Sequence, residues 1–350
     1  MNQYRLITFV GTGGVGKTSL SILCAIAAAK QGRKVAAITI DPSKRLSDIL
    51  GLGAGQSNPT NLDWSEFSGA LDVYHVDTAV TFEQFVSQNM SAEFYLKLSD
   101  NKIYQQISQS LRETHNFAAL YLMIQVLKQG YDLVVLDTPP CHQVVDFFES
   151  PQRLQKFFSN TLSPDKESWL GWVKDQGVRV AERFLQTLVG GEFVSEMDSF
   201  FRGVGKLRQG ISDVSQEFIN VLASESSHIA LIFSTALDKQ DEARYLREQI
   251  QRNQFSIGTY IINRAYIPGL IGVAEGALQS DFEMQLYKNS LRQKKIAEDV
   301  LKRVSQDDNM TSQNQYIVLP DLCIDLTSKQ EILKFVDQMS LHWSPTGEKI

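Results

Sequence analysis

Residues 11–18 read Gly-Thr-Gly-Gly-Val-Gly-Lys-Thr, set between the apolar run Leu6–Val10 and the Ala- and Leu-rich stretch Lys17–Gln31. Gly11 and Gly16 with four residues between them, followed by Lys17 and Thr18, are spaced as in the Walker A loop. The constraint is physical. Glycines let successive backbone N–H groups turn inward as an anion nest, and a helix beginning at Lys17 directs its positive end at the same point. Such a loop works only between a buried strand and a helix, and that order is present here. On this reading Gly11, Thr12, Gly13, Gly14, Val15 and Gly16 wrap a nucleoside triphosphate, ATP or GTP. Lys17 reaches the β- and γ-phosphates, Thr18 places its hydroxyl on magnesium and Ser19 contacts the α-phosphate.

Further apolar runs of the buried-strand kind recur at Val35–Ile40, Leu71–Val76, Leu133–Leu136, Ile229–Ser234, Gly258–Ile262 and Tyr316–Leu319. Most lack an alternating polar face, as strands covered by helices on both sides do. Helical patterns over Lys17–Gln31, Asn116–Gln129, Gln240–Arg252, Asp281–Ser305 and Lys329–Met339 separate them. The expected fold is α/β, a doubly wound and mostly parallel sheet. Two regions interrupt the rhythm with helix-like sequence, so residues 1–350 are expected to form a single domain carrying helical insertions near 78–115 and 150–225. The second holds an apolar stripe from Trp169 to Val204, including Phe184, Leu188, Met197 and Phe201, at amphipathic spacing.

Composition excludes several classes. Lys plus Arg total 34 against 40 Asp plus Glu, a net charge of −6, which argues against a general nucleic-acid coat or an anionic-membrane binder. No apolar run approaches the roughly 20 residues of a membrane helix, so no stable membrane insertion is expected. The N-terminal Met-Asn-Gln-Tyr-Arg-Leu runs straight into a strand pattern, which is read as leaving no room for a secretory signal. Three cysteines, Cys24, Cys141 and Cys323, cannot build a disulfide framework and suit a reducing, cytoplasmic setting.

The residues around the loop narrow the reading. Gly13-Gly14-Val15-Gly16-Lys17-Thr18-Ser19, with Asp41-Pro42-Ser43 ending the next strand pattern, resembles the deviant Walker A ATPases, the SIMIBI-class group that includes ArsA, MinD and the nitrogenase iron protein. Asp41-Pro42 with Leu46-Ser47-Asp48 and Leu50-Gly51 is similar to the first switch of the ArsA-like and tail-anchored-protein-targeting ATPases. Asp137-Thr138-Pro139-Pro140, continued by Phe147, Phe148 and Pro151, is similar to their second switch. Ile261-Ile262-Asn263-Arg264 looks like the adenine-recognising segment, and Leu319-Pro320-Asp321 like the loop at the nucleotide edge. The resemblance implies a dimeric, Mg²⁺-dependent ATPase. In it Asp41 orients the attacking water and reaches magnesium through water, Asp137 is the Walker B-like carboxylate also acting through water, and Asn263 and Arg264 with Pro320 and Asp321 hold the nucleotide. Read without the resemblance, Asp41 has the alternative of a helix cap before Leu46, and Asp137 that of a strand-end turn residue.

Thr12 departs from the family pattern. The resembling position carries a lysine that crosses the dimer interface to the partner's nucleotide, and a threonine supplies no cation there. Either the chain pairs with a paralogue that donates the lysine, or Lys44 and Arg45, just after Asp41, substitute. A homodimer fits the second reading, and two solvated charges on a switch loop is the alternative to both. No Cys-x-x-Cys occurs for the zinc staple of the eukaryotic targeting ATPases. Cys141 beside His142 is read as a small residue in a switch turn. Two readings also stand for the Trp169–Val204 stripe, a groove for a hydrophobic-helix client or the packed core of the insertion. Other members of the group imply other functions. They are the soluble subunit of an anion or metalloid efflux system, and a nucleotide-dependent regulatory or partition protein with weak hydrolysis. The short polar Ser344–Ile350 and the acidic charge count against the last of these.

Overall fold

The structure, a computed structural model of the chain, describes residues 4–40, 49–50, 59–89, 114–161, 209–268, 280–306, 314–324 and 326–341. The chain divides into two compact units. One comprises Met1–His75, Gln125–Val145 and Val221–Ile350, the other Val76–Ile124 and Asp146–Asn220.

The first unit is built on an eight-stranded sheet. In chain order the strands are β1 (Leu6–Gly11), β2 (Lys34–Thr39), β3 (Thr60–Asn61), β4 (Ala70–His75), β5 (Leu133–Asp137), β6 (Ser227–Phe233), β7 (Ile257–Ile262) and β8 (Gln315–Val318). Across the sheet they lie in the order β3-β4-β2-β5-β1-β6-β7-β8. Every pairing is parallel except β3 with β4. The seven expected strands are present, and the sheet is the α/β arrangement that their unbroken apolar runs imply. β3 escapes sequence reading because it is two polar residues on the sheet edge. β6 begins at Ser227 rather than Ile229, since its first two residues are polar and only partly covered.

Alternation along the strands sorts the core. Ile7, Phe9, Val35, Val135, Ile232 and Ile261 face one side and pack under helix α1 (Lys17–Lys30), with the last helix, Lys329–Ser340, beside it. Lys30 pairs with Asp337 between these two helices. The last helix starts at a capping box, Ser328 accepting from Glu331 N–H while the Glu331 carboxylate returns to Ser328.

In the second unit the described helices are α2 (Thr78–Asn89), the Thr114–Ile124 part of α3 (Thr114–Leu127), the part of α4 (Cys141–Thr161) from Asp146 onward, and the 209–220 part of a helical segment over residues 209–222. Phe85 meets Phe117 edge-on at 4.8 Å and Tyr121 at 5.2 Å, while Phe147 meets Phe218 at 5.4 Å. Pro151 lies inside α4 and has no N–H for the carbonyl of Phe147; the buried Ser150 hydroxyl donates to that carbonyl at 2.9 Å instead. The turn expected at Thr138-Pro139-Pro140 is short, because α4 begins at the next residue and carries Phe147, Phe148 and Pro151. The Trp169–Val204 stripe lies outside the described residues.

Near the start of β6, His228 lies on the Tyr4 ring at 4.5 Å and bonds Thr259 Oγ1 at 2.8 Å. Burial pushes its pKa down from 6.5 to about 4. The unfolded chain therefore binds more protons between those values. The neutral ring's contribution is fully present above pH 6.5 and is lost as pH falls through about 4, about 3 kcal/mol in all. In urea titrations the stability gap between the wild type and His228→Gln should narrow from pH 7 to pH 4.5. A gap that stays constant would show that the ring titrates as it does in the unfolded chain.

Candidate functional site

The phosphate loop leaves the central strand at the carboxyl edge of the sheet. β1 is flanked there by β5 on one side and β6 on the other, the point in an open α/β sheet where connections diverge and ligands bind. Gly11, the last residue of β1, is forced by its neighbour: a Cβ there would sit 2.1 Å from the carbonyl oxygen of Ile232 on β6. Gly14 and Gly16 adopt positive φ, 77° and 90°. Gly16 is the N-cap of α1, no side chain caps that helix, and its first turn carries no acid. Its leading N–H groups are thus left to a ligand. A Cβ on Gly13 or Gly14 would meet nothing within 4 Å among the described residues, so the loop is uncrowded at these two positions.

The polar side chains converge on this loop. Lys17 is buried and curls back over it, its Nζ donating to the carbonyls of Thr12 at 2.9 Å and Gly11 at 3.2 Å. Thr18 Oγ1 donates to Asp137 Oδ2 at 2.9 Å, joining the first turn of α1 to the end of β5. Asp137 is 2% exposed. Thr138 is locked beside it by donating to Phe9 O at 2.7 Å. Ser19 lies half-buried in the same turn. Thr12 is wholly buried, and its hydroxyl oxygen has no hydrogen-bond partner among the described residues.

Asn263 and Arg264 follow β7, and Pro320 and Asp321 follow β8. The structure brings these two loops together: Ala265 N–H donates to Leu319 O, and Asp321 N–H to Tyr266 O. Asn263 itself is buried, and its amide donates to Val15 O at 2.8 Å. A Cβ at Gly16 would lie 2.6 Å from that amide nitrogen. This contact was not legible in the sequence, since Asn263 and Val15 are 248 residues apart. Asn263 therefore braces the underside of the phosphate loop. Arg264 is exposed and holds φ at 54°. Asp41, Lys44 and Arg45 lie outside the described residues; the preceding Ile40 donates its N–H to Asp137 O at 3.0 Å.

Cys141 is the first residue of α4, and its Sγ reaches Glu242 O at 3.8 Å. Burial raises its thiol pKa, Glu242 adds to that, and Lys17 and Lys239 oppose it. It acts here as a small buried side chain that stays protonated. Cys24 is buried within α1, its thiol pushed up to about 12 by burial, and Cys323 is exposed. His142 leans on Tyr245 at 5.4 Å. Among the described residues no helix is long and apolar enough to cross a membrane.

The donor set fits a magnesium–triphosphate group. A hydroxyl and a buried carboxylate already paired at 2.9 Å are hard oxygen ligands of the kind magnesium takes, beside an uncapped helix N-terminus and a lysine.

A parallel sheet with this loop at its centre defines a P-loop nucleotide-binding fold. The family model for anion-transporting ATPases, ArsA, matches residues 4–268, and the chain belongs to that family of ATPases. Among curated relatives, a Halobacterium salinarum protein named as an arsenical pump-driving ATPase is 26% identical over 167 residues, covering 45% of this chain and 25% of that protein. The ATPase ASNA1 homolog 1 of Paramecium tetraurelia is 23% identical, over 76% of this chain and 77% of its own length. ATPase GET3 of Malassezia globosa is 25% identical, over 72% and 69% respectively. This chain thus spans a quarter of the Halobacterium protein and between two thirds and four fifths of the other two.

Replacing Asn263 with Ala should cost about 1–3 kcal/mol of stability without any nucleotide, because the buried Val15 carbonyl loses its donor. Thermal melts of the free protein check this. An unchanged melting temperature would mean that the amide serves only a ligand.

Proposed function

We propose that the chain binds Mg²⁺–ATP at the loop formed by residues 11–19 and hydrolyses it, using turnover to switch a dimer between two shapes. The observation that carries this reading is the convergence of Lys17, Thr18 and Asp137 on a glycine-lined loop at the amino end of α1. Backbone N–H groups of the loop and the Lys17 ammonium would hold the phosphates, and moving Lys17 off the Gly11 and Thr12 carbonyls frees it to do so. Thr18 and Asp137 would hold magnesium, Asp137 through water. When bound, the ion neutralises phosphate charge and orients the leaving group. Asp41 would orient the attacking water and reach magnesium through water. Asn263, Arg264, Pro320 and Asp321 would border the base, with Asn263 also bracing the loop.

The dimer is read as a homodimer, with Lys44 or Arg45 supplying charge, or as a heterodimer with a paralogue bearing the glycine-loop lysine. Full burial of Thr12 in its own unit supports the view that residue 12 does not itself reach across to a partner. The helical part of the chain would bind a client, a hydrophobic helix being the class implied by the resemblance of the switch motifs to those of the tail-anchored-protein-targeting ATPases. The relative named as a pump-driving ATPase favours a second reading, a soluble subunit of an anion or metalloid efflux system. A cytoplasmic setting goes with both.

Lys17→Ala should weaken ATP binding about 10- to 100-fold, the loss of a charge-assisted phosphate contact. Asp41→Asn should retain ATP affinity and lose turnover; full turnover in that variant would overturn the role given to Asp41. Chelation of magnesium should stop phosphate release in the wild type. Affinity purification of Asp41→Asn with ATP separates the partner readings. A co-purifying paralogue with a glycine-loop lysine supports the heterodimer, and recovery of the chain alone, as a dimer, supports Lys44 and Arg45.

A further inference from the structure

Two pairs of residues set the side on which β2 and β5 present their ends. Val35 lies beside Leu133 and Ala37 beside Val135, and all four pack in the core under α1. Side chains alternate along a strand, so the next such pair in this register, Thr39 beside Asp137, projects to the same α1 face at the carboxyl edge. The bond from Thr18 on α1 to Asp137 Oδ2 agrees with that placement. Ile40 N–H, donating to Asp137 O, fastens the backbone at the same point.

Thr39 is 3% exposed, and its hydroxyl has no hydrogen-bond partner among the described residues. A buried hydroxyl left unpaired is costly, and a carboxylate is a strong acceptor with room for several donors. Here the two are register neighbours on adjacent strands, roughly 5 Å apart at the backbone, yet Thr39 makes no bond to Asp137. Thr8 marks what is particular to this pair. Its hydroxyl is also buried and without a partner among the described residues. Ile7 and Phe9 on either side of it pack under α1, however, so Thr8 points to the opposite face, away from Asp137.

We propose that Thr39 is a positioning residue for Asp137: when magnesium and ATP bind, the Thr39 hydroxyl donates to the Asp137 carboxylate and holds it for the ion. The inference rests on the reading of residues 11–19 as an Mg²⁺–ATP site. In the free protein the carboxylate is oriented by Thr18, the hydroxyl that the ion itself would use. Thr39 supplies a second donor that is not a ligand. The free protein carries the cost of the unpaired hydroxyl and the loaded one does not, so the new bond strengthens metal binding by the difference. Thr39 also ends β2, two residues before Asp41. The same bond therefore ties the strand that leads to Asp41 to the occupied site.

Calorimetric titration of the full chain with ATP, once in saturating Mg²⁺ and once in EDTA, tests the proposal, because the ratio of the two affinities isolates the share of the metal. Thr39→Val should lower that ratio about tenfold, the loss of a hydrogen bond to a charged group, and leave the affinity in EDTA unchanged. Thr39→Ser, which keeps the hydroxyl, should retain the wild-type ratio, and so should Thr8→Val. Thr39→Val also removes an unpaired buried hydroxyl, so the melting temperature of the nucleotide-free variant should equal or exceed that of the wild type. The proposal is overturned if Thr39→Val keeps the full ratio, if Thr39→Ser loses it to the same extent, if Thr8→Val lowers it equally, or if the nucleotide-free melting temperature of Thr39→Val falls. A wild type whose ATP affinity ignores magnesium would instead overturn the Mg²⁺–ATP reading, and this inference with it.

Discussion

The contact on which this fold turns is the approach of Gly11 to Ile232. A side chain at residue 11 would overlap the neighbouring strand's carbonyl, so only glycine lets β1 and β6 close up at the carboxyl edge. That closure makes β1 a central strand and fixes where the chain departs into the loop. The left-handed Gly16 then turns the chain into α1 with its leading N–H groups uncapped. The close pairing at the end of β1 and the turn into α1 thus depend on two residues that lack a Cβ.

The polar chemistry is arranged around that geometry and depends on it. Lys17 and Thr18 come from the first turn of α1, Asp137 from the end of the neighbouring β5, and Asn263 from the end of β7. Parallel strands deliver all these ends to one edge, so residues far apart in the chain meet without a dedicated scaffold. Burial does the rest. A charged lysine and a carboxylate with little exposure are costly when unpaired, and here each is held by specific partners at 2.9 Å.

What could be read from the sequence and what could not follow the same division. The seven apolar strands were legible because burial on both faces leaves unbroken runs, and the loop was legible because its glycines are local in sequence. β3 carries no apolar residue and gives no signal. The start of α4 was hidden by Thr138-Pro139-Pro140, which has the composition of a turn, although proline just before a helix is also a favourable opening. The sequence points Asn263 toward the base of a nucleotide, and in the structure its amide donates to the Val15 carbonyl. A hydrogen bond to a main-chain carbonyl leaves no mark on the identity of the residue that accepts it.

That last bond has a consequence for the order in which the molecule is completed. The phosphate loop leaves the ribosome well before the amide that braces it, which belongs to residue 263, and the strand beyond, β8, is later still. Until synthesis has run 248 residues beyond Val15, the loop exists without this support. The loop therefore waits as an unfinished pocket through all of that interval, and the finished one marks a chain made past the end of β7.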